Sequence, residues 1–365
     1  MARILQVIPA LDTGGAERGA VDLANYLVSR GHHAFIASAG GQLVQGLSED
    51  VYRKTLPLNS KNPINVIQSA RALHNFVSQR SIDLVHIRSR LPGWAYKISG
   101  ARVPWLTTYH GVYSANGSLK KWYNSIMAQG HRVIAPSRFV AEHIKANYPW
   151  AQPNIRLVYR GVDLNIFNPA AIDLQKMKTF RYKWRIKEGE RVILLPGRIS
   201  AIKGQRFVLD AIRALRFDNL RLVFLGSGNN EAALEQVIAN HQYSDKIVLS
   251  PATPDIAEAY GVADVILTTT QKPESFGRST VEAMAMGGIV LGANHGGTAE
   301  IITDSKDGYL FEPNNAHDFC RALKQVLQMP SELLAEVSIS AKERAQKFSQ
   351  QNFLSNTLEV YEELL

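Results

Sequence analysis

The chain has 365 residues, 45% of them hydrophobic and 20% charged, with a single cysteine, Cys320. This is the composition of a globular protein of about two domains, and one cysteine excludes both an internal disulfide and a cysteine metal cluster. Charge is uneven: Lys+Arg against Asp+Glu is 19 to 8 over residues 1–170 and 22 to 24 over residues 171–365, so +11 and −2 sum to the net +9, and the basic first half implies an acidic partner.

The first apolar run, 4–8, breaks at Pro9 and is followed by Asp12-Thr13-Gly14-Gly15. It reads as a buried strand rather than a signal peptide. Further β-rich runs lie at 34–37, 84–87, 106–108 and 132–135, with amphipathic helical patterns at 16–29, 64–79 and 119–129. After a polar stretch near 168–190 the alternation restarts. Strands are expected at 192–195, 220–224, 246–249, 265–267, 289–291 and 309–311, and helices near 204–215, 230–240, 255–261, 278–286 and 315–328. Residues 338–364 are helical and lie beyond the last strand. Strands alternating with helices imply parallel sheets covered on both faces. The predicted class is therefore α/β with two Rossmann-like domains, 1–170 and 171–340, and a C-terminal helix, 341–365, packing back toward the first. No apolar run approaches the roughly 18–20 residues of a membrane span, which makes the cytoplasm the expected location.

Several strand-to-helix turns carry glycine. Asp12-Thr13-Gly14-Gly15-Ala16-Glu17 opens the first helix, where paired glycines permit a tight turn and backbone approach to an anion. It lacks the third glycine of the dinucleotide fingerprint, which disfavours a dehydrogenase. Pro196-Gly197-Arg198 through Lys203-Gly204 places two cations on one strand-end loop, a fit for a diphosphate or simply a solvated loop. Leu225-Gly226-Ser227-Gly228 and Asn294-His295-Gly296-Gly297 are further turns of this kind. Thr107-Thr108-Tyr109-His110-Gly111 ends a strand, with His110 open to acid/base, positioning or purely structural roles. No Asp-x-Asp occurs, nor a second histidine at helical ligand spacing, so no metal site is expected.

The densest stretch is Glu274-Ser275-Phe276-Gly277-Arg278-Ser279-Thr280-Val281-Glu282. Eight steps at about 100° each leave the two carboxylates about 80° apart on one continuous helix. Glu274 is therefore expected in the loop and Glu282 a turn inside the helix, both facing a ligand at its N-terminus. Gly277 allows close backbone approach there, and free first-turn N–H groups suit a phosphate.

Together these motifs resemble the retaining glycosyltransferases of GT-B architecture, family four. The likeness covers essentially the whole chain, in order: Gly14-Gly15, Thr108-Tyr109-His110-Gly111, Ala135-Pro136-Ser137-Arg138-Phe139, Arg160-Gly161-Val162-Asp163, Gly197-Arg198 with Lys203-Gly204, and Glu274 to Glu282. The resemblance implies two Rossmann-like domains facing across a cleft and a nucleotide diphosphate sugar, GDP- or UDP-linked, as donor substrate, with no cofactor. It implies Arg198 and Lys203 as the diphosphate clamp and Glu274 on the sugar hydroxyls. The N–H groups around Ser275, Phe276 and Gly277 would hold sugar and phosphate, with Gly197 in the clamp loop, and Glu282 would accept from the ribose. It places Gly14 and Gly15 under the phosphates and His110 near the transferred sugar. Read without the resemblance, Glu282 is a helix-surface acid and Glu274 an N-terminal dipole partner. The chain departs from the family at Arg160, where Asn is common, and at Thr298, where Pro is common.

The basic first half is the expected acceptor side. His86-Ile87-Arg88-Ser89-Arg90-Leu91-Pro92-Gly93-Trp94 reads as a loop offering Arg88 and Arg90 to an anionic saccharide or lipid phosphate. Ser118-Leu119-Lys120-Lys121-Trp122-Tyr123 through Met127 reads either as an interfacial helix on an anionic membrane, or as one that packs Trp122 and Ile126 inward and leaves Lys120 and Lys121 solvated. This half resembles bacterial transferases of lipopolysaccharide core assembly, some of them mannosyltransferases. The expectation is a metal-independent hexosyltransferase acting on a saccharide or glycolipid at the inner face of the cytoplasmic membrane. A nucleotide-sugar epimerase of the same build is the alternative. No nucleic-acid recognition motif is present.

Overall fold

A computed structural model describes residues 1–12, 14–216 and 218–365; Thr13 of the first glycine turn lies outside the described residues. The chain forms two compact units, Met1–Tyr159 with Gln351–Leu365, and Arg160–Gln350. The divisions fall before Arg160 and after Gln350, whereas the sequence reading placed them at 170 and 340.

Unit 1 runs β1 (Arg3–Val7), α1 (Gly15–Ser29), β2 (His33–Ser38), β3 (Tyr52–Thr55), α2 (Pro63–Gln79), β4 (Leu84–Ile87), α3 (Arg90–Ser99), β5 (Trp105–Thr108), α4 (Ser118–Ser125), β6 (Arg132–Ala135), α5 (Arg138–Asn147) and β7 (Ile155–Leu157). The strands form one parallel sheet, ordered β3-β2-β1-β4-β5-β6-β7. Alternate side chains of β1 serve both faces: Leu5 and Val7 join one core layer, Ile4 the other, as the period of two requires. Helix starts follow local chemistry. Asn62 caps α2 by accepting from Ile64 N at 3.0 Å, ahead of Pro63 at the first position, and Ser137 caps α5 through Val140 N at 3.1 Å.

Three local expectations change. The 86–94 stretch is not a loop: Arg88 follows β4 directly and α3 begins at Arg90. Pro92 is tolerated because its missing N–H falls in the first turn. Gly93 is needed because a Cβ there would lie 2.9 Å from Ile126. The helix expected over 119–129 ends at Ser125 and tightens into a 3₁₀ turn over Ile126–Ala128. Two short strands, β3 and β7, appear where no strand was expected.

Unit 2 runs α6 (Leu174–Lys183), β8 (Arg191–Pro196), α7 (Gln205–Ile212), β9 (Leu220–Leu225), α8 (Glu231–Ala239), β10 (Ile247–Ser250), α9 (Ile256–Val262), β11 (Val265–Thr268), α10 (Arg278–Ala285), β12 (Ile289–Ala293), α11 (Thr298–Ile301), β13 (Tyr309–Phe311), α12 (Ala316–Leu327) and α13 (Ser331–Ala345). Its parallel sheet is ordered β10-β9-β8-β11-β12-β13. The polar stretch near 168–190 thus holds a helix, capped by Asp173 at the N–H groups of Gln175 and Lys176.

The helical tail is two helices. After α13 and a 3₁₀ turn at Gln346–Phe348, α14 (Gln350–Glu362) returns to unit 1. There Leu354, Val360 and Tyr361 enter the core layer of Ile4, Leu23 and Leu27. The Tyr361 hydroxyl lies 2.6 Å from His86 Nδ1, and His86 Nε2 lies 2.7 Å from Thr108 Oγ1. Burial, reinforced by Arg88, holds His86 well below its usual pKa, so the link is made by a neutral imidazole. Glu363, just beyond α14, is gripped by Arg132 at 2.5 Å and Arg156 at 2.6 Å.

Candidate active site

Each sheet has one place where the strand order reverses. In unit 2 that place is between β8 and β11, and in unit 1 between β1 and β4. Loops leaving the carboxyl ends of such strands diverge and open a ligand crevice. The residues singled out in unit 2 come from these loops.

After β8 the chain passes through Gly197 and Arg198 to Lys203, then enters α7. Arg198 is exposed, and its carbonyl accepts from Gln205 Nε2 at 3.2 Å. Thr269 Oγ1 donates to the Lys203 carbonyl at 3.1 Å, and Gln271 N to the Ile202 carbonyl at 2.7 Å. These bonds tie the cationic loop to the loop after β11. Across them the Lys203 ammonium forms an ion pair with the Glu274 carboxylate, both side chains partly buried.

Glu274 stands in the loop and Glu282 in the second turn of α10, the arrangement that the eight-residue spacing required. Gly277 is the N-cap of α10 at φ +103°, a conformation that favours glycine. The loop rests on the turn after β12. Gly297 N donates to the Glu274 carbonyl at 2.8 Å, and a Cβ on Gly297 would fall 2.1 Å from the Phe276 carbonyl oxygen. His295, from the same turn, donates through Nε2 to the Thr270 carbonyl at 2.9 Å. Burial lowers its pKa, against the opposing pull of Thr270 and Glu274.

Glu282 is held on both oxygens. The Tyr260 hydroxyl donates to Oε2 at 3.1 Å and Arg278 Nε to Oε1 at 2.7 Å. Tyr260 is buried, and its ring meets Phe167 edge-on. Burial pushes the Glu282 carboxyl above its ordinary range, while Arg278, Tyr260 and Lys203 pull the other way. Tyr260 and His295 are site residues that sequence reasoning did not single out. Lys203 and two carboxylates thus meet beside the first turn of α10, with exposed Arg198 on the same loop as Lys203. The set can neutralise an anion and accept from several hydroxyls.

In unit 1, Gly14 is the N-cap and Gly15 the first residue of α1, at the carboxyl end of β1. His110 follows Tyr109 just past β5. Arg88 does not face an acceptor. It is buried, with Nε donating to Gln6 Oε1 at 2.8 Å and its other nitrogens to the carbonyls of Ala16 and Gly19 at 3.3 and 3.4 Å. Burial depresses it to about 10, opposed by Tyr361, Asp22 and Glu17. Its work is to tie β4 to β1 and α1 at the switch point. Arg90 is likewise engaged. It donates to Asn124 Oδ1 at 3.0 Å and lies over the Tyr113 ring at 4.5 Å. On α4, Lys120 and Lys121 are exposed, as are Leu119 at 75% and Trp122 at 57%, while Ile126 is fully buried. Trp122 packs on Trp94, ring centroids 4.5 Å apart. The inward-packing reading therefore holds for Ile126 and not for Trp122, which stays exposed against Trp94. Among the described residues no group of three or more His, Cys, Asp or Glu is placed to hold a metal ion, and no helix is long and apolar enough to cross a membrane.

Two doubly wound parallel sheets, with ligand loops at a switch point, define the GT-B class of architecture. Comparison with known proteins agrees. Residues 176–344 match the family model "Glycosyl transferases group 1" and residues 13–166 match "Glycosyltransferase Family 4". A glycosyltransferase structure from Rickettsia africae is 32% identical, with a TM-score of 0.91 over 100% of this chain and 98% of that one. Anabaena HepE, solved with UDP-glucose, is 19% identical and superposes over 100% of both chains with a TM-score of 0.82. The N-acetyl-alpha-D-glucosaminyl L-malate synthase of Bacillus anthracis is 23% identical over 370 residues, 96% of this chain and 94% of that protein. The chain belongs to the group 1 glycosyltransferases of the GT-B superfamily, and glycosyl transfer is its activity.

Proposed function

We propose that this glycosyltransferase moves a hexose from a nucleotide diphosphate sugar to an anionic saccharide or glycolipid, retaining the anomeric configuration and using no metal. The observation that carries the donor assignment is the meeting of Lys203, Glu274 and Glu282 at the β8/β11 switch point. Arg198 and Lys203 take the diphosphate and offset the charge that grows on it as the bond from phosphate oxygen to the anomeric carbon breaks. Glu274 accepts from the sugar hydroxyls and Glu282 from the ribose, and the N–H groups of Ser275, Phe276 and Gly277 line the start of α10. The acceptor oxygen bonds to the anomeric carbon from the face the phosphate leaves, and its proton passes to the departing phosphate. Neither glutamate is then a covalent nucleophile, in contrast to a retaining glycosidase pair. UDP is favoured as the nucleotide, because the HepE structure of like fold was solved with UDP-glucose.

Gly14, Gly15 and His110 of unit 1 are assigned donor phosphate and sugar contacts on the family pattern alone. On the acceptor side, Lys120 and Lys121 beside exposed Leu119 and Trp122 support contact with an anionic saccharide, lipid headgroup or bilayer surface. Lipopolysaccharide core or another cell-envelope glycan, with mannose among the candidate hexoses, fits that surface. A thermal-shift screen of UDP- and GDP-sugars, followed by anomeric analysis of the product, tests the reading. Glu274→Ala and Lys203→Ala are each expected to abolish transfer with the fold intact. Near-normal turnover in either variant overturns the site.

A further inference from the structure

Unit 2 carries a second cationic surface with no part in the site above. Within residues 174–187 there are six basic residues, Lys176, Lys178, Arg181, Lys183, Arg185 and Lys187, and no acidic one. The rest of residues 171–365 then holds 22 − 6 = 16 basic residues against 24 acidic ones. Charge of one sign is thus concentrated on α6 and its C-terminal turn, in a half that is otherwise acidic.

Three of the six are accounted for. Lys176 pairs with Asp255 at 2.7 Å, Lys183 lines a hollow with Asp255, and Lys187 lies close to Glu190. The other three share a face. Buried Phe180 and Trp184 fix the inward side of α6. At about 100° per residue from Phe180, Trp184 falls at about 40°, Arg181 and Leu174 at about 100° and 120° on the flank of the core, and Lys178 and Tyr182 at about 160° and 200°, opposite it. Arg185 follows at the end of the helix, exposed and at φ +52°. Among the described residues, none of Lys178, Arg181 and Arg185 is in an ion pair. Between them Leu174 is 68% and Tyr182 86% exposed, large apolar side chains with nothing to cover them.

We propose that this face of α6 is a docking surface for an anionic lipid bilayer. Its charge complements phosphate headgroups, and each basic residue near such a surface adds roughly fivefold in affinity. The Leu174 and Tyr182 side chains match the boundary between headgroups and acyl chains, where aromatic and aliphatic groups lie among cations. A nucleic-acid backbone would use the cations and leave both apolar groups in water. The surface is separate from the donor assignment and does not depend on it.

The test is co-sedimentation of the full chain with vesicles of phosphatidylcholine alone or with about one-third phosphatidylglycerol. Wild type is expected to pellet with the anionic vesicles and to be released by high salt. Lys178→Glu/Arg181→Glu/Arg185→Glu is expected to lose more than about a hundredfold in apparent affinity, with an unchanged melting temperature and unchanged nucleotide binding. The milder Lys178→Gln/Arg181→Gln, expected to lose about 25-fold at fivefold per residue, serves if the triple variant folds poorly. Lys120→Glu/Lys121→Glu reports separately on α4. Wild type that stays in the supernatant, or that binds duplex RNA but not vesicles, overturns the proposal. So does an α6 variant that pellets as wild type does.

Discussion

Tyr260→Phe removes one hydroxyl and leaves the rest of its surroundings in place. The ring keeps its edge-on contact with Phe167, centroids 6.0 Å apart, so packing is conserved. Glu282 loses the donor at 3.1 Å and retains Arg278 at 2.7 Å. A hydrogen bond to a charged group is worth about 1.5–3 kcal/mol. The lower end applies here, because Arg278 is 43% exposed and free to re-aim. About 1.4 kcal/mol is a tenfold change in affinity, or about one pH unit in a pKa. Burial already raises the Glu282 carboxyl, and Tyr260 is one of the groups restraining that rise. Without the hydroxyl the carboxyl gains its proton at higher pH and stops accepting from a ribose.

The donor KM is therefore expected to rise, by up to about tenfold on the acid side of the pH profile, with kcat changing less than about twofold. The acid limb of kcat/KM should move up by about one pH unit. Titration calorimetry with UDP at acidic, neutral and alkaline pH, on wild type, Tyr260→Phe and Glu282→Gln, reads the effect directly. If Glu282→Gln weakens UDP while Tyr260→Phe binds like wild type at every pH, the reasoning about Tyr260 fails. If Glu282→Gln binds UDP like wild type, the ribose assignment itself fails.

Three further outcomes are expected. Gly297→Ala needs no change of φ sign, yet its Cβ would sit 2.1 Å from the Phe276 carbonyl; donor KM should rise more than tenfold while circular dichroism stays native, and unchanged kinetics would refute the packing. Glu190→Gln breaks a buried pair in which Arg221 reaches both carboxylate oxygens at 3.0–3.2 Å; the stranded guanidinium should cost about 3–5 kcal/mol, seen as a lower urea midpoint. Glu363 is held at about 2, first by its hydrogen bonds from Arg156 and then by Arg132, against an ordinary value of 4.5. Because the folded pKa is the lower one, its stabilisation is complete above pH 4.5 and is lost as pH falls toward 2. The carboxylate is about one-third exposed and screened, so Glu363→Gln should cost about 1 kcal/mol at neutral pH and nothing at pH 2, measured by denaturant titration at both.

Much of the layout around the β8/β11 switch point was legible in the sequence because it is local. A run such as Val265-Ile266-Leu267 reads as a strand buried on both faces, and eight residues between two glutamates are enough to part them between loop and helix. What was not legible depends on contacts between distant segments. Tyr260 matters through Glu282, on another helix, and nothing in Ala259-Tyr260-Gly261 announces a partner 22 positions away. Arg88 looked like an exposed acceptor contact because an isolated arginine so often is one. Only the sheet order, which sets β4 beside β1, shows that Gln6 and the carbonyls of α1 enclose it. Helix α3 was hidden by Pro92 and Gly93, which break a helix interior but are harmless in a first turn packed against Ile126. Strands β3 and β7 lie at the two edges of their sheet, where half-exposed strands need no continuous apolar run.

The return of α14 to unit 1 has a consequence for the order in which this protein is made. Tyr361 meets His86 across 275 positions of sequence, so the first sheet emerges from the ribosome long before the helix that seals its core. Arg160–Gln350 can close on itself as soon as it is synthesised, whereas the earlier segment waits, one apolar layer open, for the last residues. Nascent chains arrested before α14 should be the species that chaperones hold, and cleavage in the turn between α13 and α14 should unfold the N-terminal sheet in preference to the one nearer the cut.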